Sequence, residues 1–159
     1  MATLTPWRAL PAERRIAVIM AAAKQHKDVR AALAARIAQK GGGFRAVTLM
    51  TWSPEKLAKE VVRLNALQPQ DELDMLLHLY VELEPAIQIT FLDAAGVPHT
   101  DGHIAEEATP PFGDEATTTK AVETVRAQFG DACEHYLLTI TTYNKESWPG
   151  IERLVTRNT

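Results

Sequence analysis

Apolar residues recur every three or four positions over most of the chain, which is the spacing of one face of an α-helix. The first such stripe begins after Pro11. It predicts either one helix from Pro11 to Lys40 or two helices, the second capped by Asp28. The glycines at positions 41–43 end the segment, because glycine adopts the backbone conformations that close a helix.

The next segment, Phe44–Trp52, contains β-branched and aromatic residues. A lone strand has no partner in an otherwise helical chain, so we expect a linker or a single helical turn here. Ser53 and Pro54 then mark a helix start, with the serine as the cap and the proline in the first turn. We expect this helix to end near Pro69, because the residue before a proline disfavours helical backbone.

The longest apolar segment with helical periodicity covers residues 70–97. On a helical projection most of its leucines share one face, whereas Asp74, His78 and Glu82 occupy the opposite, polar face at four-residue intervals. We therefore expect His78 to face solvent. Pro85 lacks an amide proton, so it either kinks this helix or begins a new one.

Residues 97–113 predict a loop that is long for a compact domain and contains three prolines. Such a loop is functional if it packs over a cleft facing His78, and a connector if it extends into solvent. Asp114 caps the next helix and Gly130 ends it; further helical segments follow to the C-terminus.

These segments predict an all-α protein, with residues 1–159 forming a single domain. Its six or seven helices would pack as an antiparallel bundle or an orthogonal array, with a long loop at about 97–113. The single cysteine, Cys133, excludes an internal disulfide. His135 is two positions away, where helical side chains point in different directions, so we expect a buried structural thiol. No segment is apolar enough for a signal peptide or a membrane span, and we expect a cytoplasmic protein with no membrane partner.

Charge is segregated along the chain, although the net charge is only -3. Residues 1–63 contain twelve Lys and Arg against four Asp and Glu, and residues 64–119 contain none against eleven. The remaining residues contain five of each. Blocks of opposite charge either neutralise each other within one domain or leave fields that steer a partner over about 8–10 Å at physiological salt.

We expect a non-enzymatic protein-interaction or oligomerising module. The acidic middle of the chain would meet a basic surface on another protein or on a second copy of the chain, so that opposite charge patches drive association. The residues expected in this contact are Asp74, Glu82, Glu106, Glu107 and Trp52. Trp52, like Trp7 and Trp148, stands in a connecting segment, where a tryptophan either anchors the linker or supplies an exposed contact.

The first alternative is a metal-dependent, hydrolase-like enzyme with its site in the loop at 97–107. A divalent metal would take His99, Asp101 and His103 as ligands, with His78 added from the preceding helix, and would activate water. The same histidines equally fit a surface turn, with Asp101 and Gly102 at the bend. Apart from this divalent metal we predict no cofactor.

The second alternative is binding of nucleic acid through the basic N-terminal third, which would weaken steeply with added salt. We do not expect it, because the basic residues are spread around their helices and the acidic block would repel a duplex. The chain contains no phosphate-binding loop, dinucleotide fingerprint or Gly-x-Ser-x-Gly motif.

Overall fold

The computed structural model describes residues 4–41 and 43–155. Its contacts divide the chain into two compact units, Met1–His78 and Leu79–Thr159, which we call the first and the second unit and describe separately. The protein is 72% helical, and the sheet found among the described residues is a two-stranded hairpin, so the all-α class is confirmed. The same residues include seven α-helices of nine residues or more, in agreement with the expected number. That the two units form one domain stays a prediction.

The first unit is built on three helices that pack against one another, α2, α3 and α5. Its helices are α1 (Pro6–Ala9), α2 (Ala12–Gln25), α3 (Lys27–Gln39), α4 (Ala46–Leu49), α5 (Pro54–Leu64) and α6 (Pro69–Leu77). Ile19, Leu33, Ile37, Leu57 and Val61 are fully buried and form the core between the three packed helices. Burial of such side chains stabilises the fold by about 1.5–3 kcal/mol each.

Several predicted boundaries in the first unit are confirmed and two are wrong. The hydroxyl of Ser53 accepts a hydrogen bond from the Lys56 amide at 3.1 Å, as expected of a cap. His26, with extended backbone, separates α2 from α3, so the N-cap of α3 is His26 and not Asp28. The helix α5 ends before the expected Pro69, because Asn65 adopts left-handed backbone at φ 51°.

The expectation that His78 faces solvent is wrong. Its exposed fraction is 8%, whereas that of the neighbouring Leu77 is 49%. The imidazole of His78 meets that of His26 edge-on, with ring centroids 5.7 Å apart. The segment His78–Leu83 is also a π-helix, whose hydrogen bonds reach back five residues, so a projection that assumes 3.6 residues per turn fails here.

The second unit is organised around α7 packed on α8. Its elements are α7 (Ala86–Ala95), β1 (His99–Thr100), β2 (His103–Ile104), α8 (Glu115–Phe129), α9 (Glu134–Asn144) and α10 (Ile151–Val155), with 3₁₀ turns at Gly130–Cys133 and Lys145–Ser147. Pro85 is the residue that precedes α7, so it begins a new helix instead of kinking one. The Asp114 carboxylate caps α8 by accepting from the Thr117 amide at 2.9 Å. Phe91, Val122 and Leu137 form part of the core.

The segment expected to be an irregular loop contains an antiparallel hairpin. His99 pairs with Ile104 and Thr100 pairs with His103. The turn places Asp101 at φ 50° and Gly102 at φ 89°, left-handed conformations that favour Asp and Gly. None of the described helices has both the length and the apolar character needed to cross a bilayer.

Candidate functional site: a cavity under the hairpin loop

A cavity of about 230 Å³ lies within the second unit. It is lined by Gln88 and Leu92 of α7, Ile104 and Phe112 of the loop, Tyr136, Ile140 and Asn144 of α9, and Ser147 and Trp148 of the turn that follows. Ile104 and Phe112 are the residues by which the loop takes part in this cavity. The loop therefore borders a cleft of the second unit, and a cleft facing His78 stays a prediction.

Backbone and aromatic contacts hold the walls of the cavity in place. The amide of Phe112 donates to the carbonyl of Ser147 at 2.9 Å, which fixes the end of the loop to the turn after α9. The indole of Trp148 packs against Phe91 and Phe112, with centroid distances of 4.7 and 5.1 Å. Trp148 is buried, which agrees with the anchoring alternative and not with an exposed contact.

Gln88 connects Tyr136, which lines the cavity, to Gly102 of the hairpin. Its side-chain oxygen accepts the hydroxyl proton of Tyr136, and its side-chain nitrogen donates to the carbonyl of Gly102 at 3.1 Å. Burial, and to a smaller extent the neighbouring Tyr80, raise the pKa of Tyr136 well above its usual value. The hydroxyl consequently remains protonated and acts as a donor, which leaves the Gln88 amide in one orientation.

The polar groups at the cavity that remain available belong to Asn144 and Ser147. Among the described residues, neither the Asn144 amide nor the Ser147 hydroxyl has a hydrogen-bond partner. Among the described residues that line the cavity, none is an Asp, Glu, Lys, Arg or His. Aliphatic and aromatic residues thus stand beside neutral donors and acceptors, and polar atoms contribute the larger part of the accessible lining. Such a lining suits a small, uncharged and partly polar ligand.

The histidines predicted as metal ligands lie in the hairpin, where His99 has a structural role. Its Nδ1 accepts from the amide of Gly102 at 3.1 Å, so its Nε2 carries the proton and donates to the Asp93 carboxylate at 2.6 Å. Both ring nitrogens are therefore engaged. Within residues 4–41 and 43–155, His99, Asp101 and His103 do not bring three ligand atoms within 4.8 Å of one another. Asp101 and His103 are exposed, and metal binding here stays a prediction.

The residues predicted for a protein contact are distributed over both units. In the first, Asp74 accepts from the Gln70 amide group at 3.0 Å, and Trp52 is half-buried with the Lys56 ammonium 4.0 Å above its ring. In the second, Glu82 lies in the π-helical segment, and Glu106 and Glu107 follow the hairpin; all three are exposed. Their role in a contact stays a prediction.

Part of the acidic block serves the fold. Asp71 pairs with Arg36 at 2.7 Å, and the buried Glu72 accepts from the Thr5 hydroxyl at 2.7 Å. Two basic residues are used in the same way: Arg30 donates to the backbone carbonyls of Met50 and Trp52, and Arg15 donates to that of Leu10. Binding of nucleic acid through the basic N-terminal third stays the second, unexpected alternative.

Cys133 is fully buried, which confirms the structural thiol. Its Sγ donates to the Gly130 carbonyl at 3.2 Å, and burial raises the pKa of the thiol. The nearby His135 instead takes the Tyr80 hydroxyl as its hydrogen-bond partner. The chain therefore presents no activated cysteine at this position.

Comparison of the chain with protein-family models, with curated proteins and with solved structures finds no match.

Proposed function

We propose that the protein is a binding protein, and that the cavity of the second unit takes a small uncharged ligand. The observation that carries the proposal is the composition of the lining: three aromatic rings, from Phe112, Tyr136 and Trp148, with no Asp, Glu, Lys, Arg or His among the described residues beside them. Burying a charged group without a partner is costly, so such a lining disfavours phosphates, carboxylates and metal ions.

The volume of the cavity limits the size of the ligands that it can hold. A volume of about 230 Å³ corresponds to roughly eight water molecules at their share of liquid volume. It lies below the 300–1,000 Å³ that is common for drug-sized ligands. A compound of one or two fused rings is therefore the expected occupant.

Ligand-observed NMR with neutral bicyclic fragments tests the proposal. Ile104, 39% exposed, lines the cavity, and Ile104→Trp would fill it from the loop. Leu138, 36% exposed and outside the lining, supplies the matched control Leu138→Trp. We expect saturable binding by the parent protein and by Leu138→Trp, with at least tenfold weaker binding by Ile104→Trp, a loss of about 1.4 kcal/mol. No binding by the parent protein, or equal binding by both variants, would contradict the proposal.

We also propose association through opposite charges as a second function. The observation that favours it is that the two units have net charges of opposite sign. The first unit contains twelve Lys and Arg against seven Asp and Glu, and the second contains five Lys and Arg against thirteen Asp and Glu. Exposed carboxylates of the second unit, such as Glu106 and Glu107, would meet a basic surface on another protein or on a second copy.

Light scattering across a salt series tests this second proposal. Self-association should weaken as salt rises, because screening shortens the range of the fields. Glu106→Lys with Glu107→Lys should abolish it, whereas Glu146→Lys with Glu152→Lys, the same charge change elsewhere in the second unit, should weaken it less. A monomer at every ionic strength, together with no salt-sensitive binding to basic proteins, would refute the proposal.

A further inference from the structure

The arrangement of polar groups at the cavity allows the ligand class to be named, and this inference rests on the proposed function. Apolar walls alone would accept any compact ring. Asn144 changes this, because its amide presents one acceptor oxygen and two donor hydrogens side by side. It lies at the end of α9, in non-helical backbone at φ -133°.

We propose that the ligand is a neutral, planar heteroaromatic compound whose edge carries a donor and an acceptor next to each other, as in a cyclic amide. The ring would lie against the part of the lining that Phe112, Tyr136 and Trp148 provide, where offset or edge-on aromatic contacts are favourable. Phe112 is half-buried and would supply most of this contact, because the other two rings are buried. The edge would face Asn144, whose amide can exchange two hydrogen bonds with it, as asparagine does with the edge of adenine.

The side-chain amide of Gln88, which also lines the cavity, cannot pair with the donor and acceptor edge of the ligand. Gln88 has its oxygen bonded to Tyr136 and one nitrogen proton bonded to Gly102, so pairing with a ligand would break a contact that fixes the hairpin. The Ser147 hydroxyl is a single rotating group and adds at most one hydrogen bond. Asn144 is thus the lining residue that can pair with a two-point edge without disturbing the fold.

Three compounds of one shape test the inference by calorimetry: isoquinolin-1-one, with a donor beside an acceptor; isoquinoline, with an acceptor only; and naphthalene, with neither. For the parent protein we expect isoquinolin-1-one to bind about tenfold more tightly than naphthalene, since one well-made pair of hydrogen bonds is worth about 1.4 kcal/mol. Isoquinoline should fall between them.

Asn144→Leu should remove this preference while it leaves naphthalene binding intact, and Asn144→Ala provides a second test should the leucine disturb the turn. Asn144 is exposed and its amide has no partner in the described residues, so neither variant should alter the fold. Gln128→Leu, an exposed amide on α8 outside the cavity, is the matched control and should keep the preference.

The outcomes separate the ligand class from the binding function itself. A preference that disappears in both Asn144 variants supports the inference. Equal affinity for the three compounds, or a preference that survives both substitutions, overturns the inference and leaves the proposed function standing. Absence of binding by all three compounds, together with failure of the wider set of neutral fragments, overturns both.

Discussion

Single residues contribute unequally to the stability of this fold, and Gln88 shows why. Its side chain is satisfied at both ends of the amide and connects α7 with α9 and with the hairpin. Buried polar groups contribute modestly when paired but are costly when one partner is removed, because the remaining group has lost its water without gaining a replacement. Glu72 is in the same position as Gln88, because its buried carboxylate accepts a hydrogen bond from Thr5 and would be left without that donor if Thr5 were replaced.

A double-mutant cycle on Gln88 and Tyr136 should show this asymmetry. Gln88→Leu leaves the hydroxyl of Tyr136, a residue only 2% exposed, without its acceptor, and should lower the free energy of unfolding by about 1–3 kcal/mol. Adding Tyr136→Phe to Gln88→Leu removes the stranded hydroxyl, so the double variant should be more stable than the sum of the single variants predicts. Urea unfolding measures all four proteins, and strict additivity would argue against the hydrogen bond.

The cap of α8 should make a contribution to stability that depends on pH. The Asp114 carboxylate accepts from the amide and the hydroxyl of Thr117, and these bonds lower the pKa of the carboxyl. Its stabilising effect is therefore fully present above the pKa of the unfolded chain and is lost as the pH falls through the lower pKa of the folded state. The stability difference between the parent protein and Asp114→Ala should shrink over that acidic range.

Ser53→Ala is the control for this experiment, because a serine cap does not titrate. It should cost about 1 kcal/mol at every pH at which the protein folds. Unfolding curves for both variants from neutral to acidic pH give the comparison. A pH-independent Asp114→Ala difference would show that the charged form of the carboxylate contributes nothing.

At the scale of elements, helix ends decide where the loop over the cavity begins. Gly96 ends α7 in left-handed backbone at φ 70°, and the Val97 amide then bonds back to the Leu92 carbonyl at 3.0 Å. This closing turn directs the chain into the hairpin. Glycine is favoured at position 96 by the left-handed backbone conformation and not by steric crowding, since a Cβ at this position would meet nothing within 4 Å.

Gly96→Ala should therefore lower the free energy of unfolding by about 1 kcal/mol, which is the cost of a left-handed residue with a Cβ. Gly96→Asn should cost less, because asparagine tolerates this region better. Thermal or urea unfolding distinguishes the two. Equal effects of Ala and Asn would indicate that something other than backbone conformation limits the position.

At the scale of the whole molecule, the charge boundary of the sequence falls close to the structural boundary. The net charge of the first unit is positive and that of the second is negative, so each unit has a field of its own sign. The cavity lies in the negative unit, which adds to the reasons why an anionic ligand would be disfavoured.

Ligand binding should stabilise the second unit by mass action. A ligand present at about 100 times its Kd raises the free energy of unfolding by about 2.7 kcal/mol, provided that it does not bind the unfolded chain. Amide hydrogen exchange of the buried residues in α7 and α9 would report this, with Ile104→Trp as the variant that should not respond. A ligand that slows exchange equally in that variant would be bound elsewhere.

Local chemistry in the sequence was sufficient for much of the secondary structure. Ser53, Asp114 and Gly96 act through their own backbone or through residues three or four positions away, so their roles could be predicted without knowledge of the fold. The all-α class follows from apolar periodicity for the same reason. The burial of Cys133 was also predicted correctly.

Tertiary structure alone decided the candidate site and the burial of His78. The cavity draws its lining from segments between Gln88 and Trp148 that are far apart in the chain, and no local spacing indicates that they meet. His78 is buried because the ring of His26, fifty-two positions earlier, packs against it, and the π-helical turn changes the faces that follow. Short-range hydrogen bonds and helix periodicity depend on residues that are close together in the sequence, so the sequence determines them directly. A cavity, in contrast, forms only where side chains from distant parts of the chain leave the space between them unfilled.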